Sequence, residues 1–69
     1  MKARDVNRRI ERLGGEAIRQ VGSHRRYLVI RGDTVVFTTV PQHGGDLPVG
    51  TLMAIERDLE PLWGRGWLR

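Results

Sequence analysis

Arg25-Arg26-Tyr27-Leu28-Val29-Ile30-Arg31, then Gly32-Asp33, then Thr34-Val35-Val36-Phe37-Thr38-Thr39-Val40: this stretch decides the fold. Both arms are rich in β-branched and aromatic residues, which suit a pleated, half-buried surface. The glycine–aspartate pair between them marks a tight turn, so the whole reads as a β-hairpin. The order is Gly-Asp, the reverse of the favoured Asp-Gly. Apolar residues occur at both parities in each arm, so the pattern does not assign a buried face.

Upstream, Gly22-Ser23 breaks the chain before His24, and Glu16 to Val21 reads as a short strand with Ile18 and Val21 as its apolar contributors. Before that, Val6, Ile10 and Leu13 recur at helical spacing and predict a helix over Arg4 to Leu13. Asp5 lies near its amino end, where the helix dipole favours an acid. Gly14-Gly15 stops it, one of the two in the left-handed conformation. Arg4, Arg8 and Arg12 step along another flank, forming either a basic ridge or an ordinary wet face.

Downstream, Pro41 to Asp46 is a loop. A second helix follows Leu47-Pro48, with Leu52, Ile55, Leu59 and Leu62 as its core stripe. Pro61 is expected to end or kink that helix near Glu60. Trp63 is expected to pack against the core. Trp67 is left open between packing and contact with another chain.

The length of 69 residues allows one small domain, residues 1–69, with a thin core and no room for a deep cofactor pocket. With no cysteine, disulfides and thiolate metal sites are excluded. The amino-terminal residues are followed by no apolar run, so neither a signal peptide nor a membrane span is expected, and a cytoplasmic location fits. The net charge is +4, and eleven of the twelve cations are arginine. Residues 1–31 hold most of them, while the remainder is mildly acidic. A basic half rich in arginine suits a phosphate polyanion. The bland alternative is a solubilising surface.

The predicted order is helix, three strands, helix. Taken as an antiparallel meander with both helices on one face, it gathers His24, Arg25, Arg26, His43 and the amino ends of both helices at one edge. Histidine has a reference pKa of about 6.5 and can give and take protons near neutrality. Beside it, Arg25 and Arg26 could stabilise a phosphorane, and Gly22 would let a phosphate approach the backbone. Without further information, His24 is either such a group or a surface histidine in a turn. His43 is either a second acid–base group or a loop-fixing, RNA-positioning residue. No carboxylate or cysteine shares a recognisable ligand spacing with these histidines, although Asp46 is near, so no metal site is expected. Tyr27 could stack a base, although a strand tyrosine more often lies in the core.

The α-β-β-β-α order resembles the double-stranded-RNA-binding fold. Gly22-Ser23-His24 followed by Tyr27, then Val40-Pro41-x-His43, then Asp46-Leu47-Pro48-x-Gly50-Thr51-Leu52 with Ile55 resembles the HicA family of toxins. These are small mRNA interferases of toxin–antitoxin modules. The likeness runs over nearly the whole chain to about Leu59. It implies an endoribonuclease without cofactor or metal that cleaves mRNA, with His24 as the catalytic residue and a HicB-type antitoxin as inhibitor. Gly22, Ser23, Arg25, Arg26 and His43 are then the expected RNA contacts. Two departures are Gly14-Gly15, where many relatives carry an aromatic residue, and the tryptophan-bearing tail from Pro61. The alternatives are a non-catalytic RNA-binding module of the same fold, or a decayed toxin that only binds its antitoxin.

Overall fold

The computed structural model describes residues 1–69. Its elements are α1 (Ala3–Arg12), β1 (Glu16–Val21), β2 (His24–Arg31), β3 (Thr34–Pro41) and α2 (Val49–Trp63). The strands form an antiparallel sheet in the order β1-β2-β3. Both helices lie on one side of it. Tyr27 and Thr38 are cross-strand partners and so share a face. The Tyr27 hydroxyl donates to Glu11 of α1 at 2.6 Å, and the Thr38 hydroxyl donates to Asp58 of α2 at 2.9 Å.

Two-residue turns set the register. Val21 pairs with His24 across Gly22-Ser23, and Arg31 pairs with Thr34 across Gly32-Asp33. In each turn only the glycine has positive φ, 58° and 59°. That is the signature of the type II′ class, which takes glycine first, and it explains the Gly-Asp order. The end of α1 is also built locally. The N–H of Gly14 donates to the Glu11 carbonyl and that of Gly15 to the Ile10 carbonyl, a Schellman arrangement with Gly14 at φ 103°.

The mixed parity of the hairpin has a physical meaning. Tyr27, Val29, Thr38 and Val40 are buried under the helices, with Val36 packed against them. On the opposite face Ile30, Val35 and Phe37 are exposed, and Leu28 is half-buried. Apolar residues of both parities are present because the open face carries its own apolar patch. From the helices, Ala3, Val6, Ile10, Ile55 and Leu59 complete the centre of the core.

Several expectations are corrected. Ile18 and Val21 do not feed the core; every residue of β1 is exposed. β1 is an edge strand, its register shifts between Ala17 and Arg19, and Val21 lies on the open face beside His24. Leu13 falls just past the helix and is 44% exposed. Pro61 does not end α2, which runs on to Trp63. Proline lacks only its own donor there, and Leu62 and Trp63 pack on the core beyond it. Trp67 proves the more deeply buried tryptophan. Its indole N–H donates to the Glu56 carbonyl at 2.8 Å, and its ring meets that of Trp63 edge-on at 4.9 Å. Leu68 is buried as well, so the tail caps the core.

Candidate active site on the open face of the sheet

His24 is the first residue of β2, held between Val21 of β1 and Pro41 of β3. Strand alternation decides its neighbours. Arg26 and Arg19 are cross-strand partners on the same side as His24, and Arg26 also faces Thr39. Together Arg19, Val21, His24, Arg26 and Thr39 line a shallow, open concavity on the helix-free face. Nη1 of Arg26 donates to the Thr39 hydroxyl at 2.9 Å, which fixes the guanidinium near the imidazole's side of the sheet. The His24 side chain itself is exposed.

Arg25 does not join this group. Its strand partner is the buried Val40, and its Nε donates to Gln20 at 2.9 Å. The expectation that both arginines flank the imidazole is therefore corrected: adjacent strand residues point to opposite faces, so His24 keeps Arg26 and loses Arg25. Gly22 and Ser23 form the turn immediately before His24, and both are exposed.

The far side of this edge is tied to α1. The N–H of Gln42 donates to the Ser23 carbonyl. The Gln42 side chain exchanges two hydrogen bonds with Asn7, at 2.7 and 3.1 Å, and Asn7 is 7% exposed. A third bond runs from Gln42 Nε2 to the Val40 carbonyl at 3.0 Å. This amide pair links α1, the end of β3 and the turn carrying His24. His43 follows directly and is exposed in the loop. The loop is also held at Asp46, which bridges Lys2, while the Leu47 N–H donates to the Met1 carbonyl at 2.8 Å. The amino ends of α1 and α2 thus lie at the edge that carries Ser23, Pro41 and the His43 loop.

Burial pushes the Tyr27 hydroxyl up to about 12, and its hydrogen bond to Glu11 acts in the same direction. Tyr27 is fully buried and belongs to the core rather than to a base-stacking surface. No group of three or more histidine, aspartate or glutamate side chains converges in the fold. No helix is long and apolar enough to cross a membrane.

Arg19 and Thr39 are the site residues that the reading of the sequence passed over. The signal was available: counting back from the Gly22-Ser23 turn pairs Arg19 with Arg26, and counting from Gly32-Asp33 pairs Arg26 with Thr39. The Asn7–Gln42 bond had no such signal, since 35 residues separate its partners.

Among families, the description "HicA toxin of bacterial toxin-antitoxin" belongs to the one whose model matches, over residues 3–60. Comparison with curated proteins and with solved structures gave no match.

Proposed function

Because the chain belongs to the HicA toxin family of toxin–antitoxin modules, we propose that it is an mRNA interferase, a metal-independent endoribonuclease with His24 as its acid–base group and a HicB-type antitoxin as its inhibitor. One observation carries the reading beyond the family: His24, Arg26 and Arg19 share an open concavity on the uncovered face of the sheet. A proton-transfer group beside two permanent cations suits a reacting phosphodiester.

In the proposed reaction the His24 imidazole takes the proton of a ribose 2′-hydroxyl as its oxygen bonds to phosphorus. The bond from phosphorus to the 5′-oxygen breaks, and that oxygen takes a proton from the imidazolium or from water. The products are a 2′,3′-cyclic phosphate and a 5′-hydroxyl. Arg26, steadied by Thr39, and Arg19 offset the charge gathering on the phosphorane. The Gly22-Ser23 turn and His43 contact the flanking backbone. Arg25 is left to hold Gln20. An mRNA substrate puts this activity in the cytoplasm.

The test is expression of the wild type beside His24→Ala. Wild type arrests growth and leaves cyclic-phosphate ends on mRNA; the variant loses cleavage by about 10²–10⁴-fold. RNA binding without any cleavage by wild type would favour the non-catalytic reading, for which the exposure of the imidazole speaks. Equal cleavage by the variant would remove His24 from the mechanism.

A further inference from the structure

The open face continues past His24 to the only phenylalanine of the chain. Phe37 stands opposite Leu28 and diagonal to Arg26, and it is 42% exposed although the core of so small a domain is thin. The Arg26 guanidinium lies over its ring, with Cζ 5.0 Å from the centroid. One group thus holds Thr39 through Nη1 and the Phe37 face through its plane. Beyond them Ile30 and Val35, also cross-strand partners, are 63% and 51% exposed.

Charge indicates what this face meets. It carries Arg19 and Arg26, with one carboxylate, Glu16, at the far side opposite Leu28. A partner that supplies both anions and flat apolar groups fits a guanidinium layered on a ring. Single-stranded RNA supplies both, because phosphates pair with arginine and bases stack on aromatic and guanidinium planes. A protein with an acidic rim would satisfy the arginines but has no particular use for the layered pair.

We infer that Phe37 and Arg26 form a stacking platform for one base of the RNA whose phosphate reacts at His24. Phe37 lies four residues along β3 from Pro41, the partner of His24, or about 13 Å at the rise of a strand. The stacked base therefore belongs to a neighbouring nucleotide, and Phe37 is a positioning residue. The inference rests on the ribonuclease reading for the identity of the reacting phosphate, but its test needs no cleavage.

The probes are a 2′-O-methyl oligoadenylate octamer, which cannot be cut by attack of a 2′-hydroxyl, and an octamer of the same backbone with abasic positions. Wild type is expected to bind the base-bearing octamer more tightly than the abasic one. Phe37→Ala should weaken the base-bearing octamer by about tenfold and leave the abasic one unchanged, and Phe37→Trp should restore the difference. Thermal melts of each variant check that the fold is kept. Three outcomes would overturn the inference: no preference of wild type for bases, equal loss of both octamers in Phe37→Ala, or wild-type RNA binding by that variant. An effect of Phe37→Ala confined to the antitoxin complex is the third outcome and would assign the face to protein instead. A failure of His24 as catalyst would appear only in the cleavage assay and leave these affinities untouched.

Discussion

Tyr27 shows how a single residue can answer to a constraint other than the one its chemistry suggests. Its ring is fully buried between sheet and helices, and its hydroxyl reaches Glu11. The proton is held more tightly in the fold than in the unfolded chain, from an ordinary 10.0 up to about 12. The sign follows: the stabilisation is whole below pH 10 and is lost as pH rises toward 12, because the unfolded chain gives up the proton first. Denaturant titrations of wild type and Tyr27→Phe at several pH values check this, taken as the difference so that other titrations cancel. Wild type should lose stability relative to the variant across that interval. Near pH 7 the variant should be less stable by about 1.5 kcal/mol, the worth of a hydrogen bond to a charged acceptor. A flat difference from pH 8 to 12 would contradict the assignment.

At the scale of the element, the first four residues of β2 do two jobs by alternation. His24 and Arg26 face the open side; Arg25 and Tyr27 face the helices. From this the two arginines part in function despite being neighbours. Arg26→Ala should slow RNA cleavage by about tenfold or more, the loss of a charge-assisted contact. Arg25→Ala should leave the rate near wild type, since its side chain serves Gln20 and the Tyr27 hydroxyl rather than the open face. Single-turnover rates on one RNA at saturating enzyme decide it, and equal losses in both variants would mean that the strand frame does not govern the site. The hairpin, its turns and both helices were legible because each rests on local rules: β-branched arms, glycine-bearing breaks between them and helical spacing. The buried face was not legible, because apolar residues line both sides of the sheet and only the packing of α1 and α2 chooses between them.

At the scale of the molecule, the tail beyond the family-matched residues is part of the core. Trp67 and Leu68 are buried, the Arg9 guanidinium donates to the Trp67 carbonyl at 3.1 Å, and Arg31 donates to that of Leu62. Trp67→Ala is expected to cost about 3–5 kcal/mol, a large share of what so small a domain has. Thermal or denaturant unfolding measures it, and a loss below about 1 kcal/mol would make the tail an accessory. The arginine-rich half is partly committed to the fold: Arg9 and Arg31 donate to the tail carbonyls, Arg25 to Gln20 and Arg26 to Thr39, while Arg19 and Arg26 line the open concavity.

By itself the sequence determined the order of elements, the two turns, the edge on which His24 stands and, through its motifs, the toxin family. These follow from backbone preferences and spacing along the chain, which act over a few residues. The tertiary structure decided which arginine accompanies His24, that Val21 and Phe37 lie on the open face, that Asn7 and Gln42 lock the His24 edge to α1, and that Trp67 is core. Each of these depends on which side of the sheet the helices cover, and burial is settled only when distant segments meet.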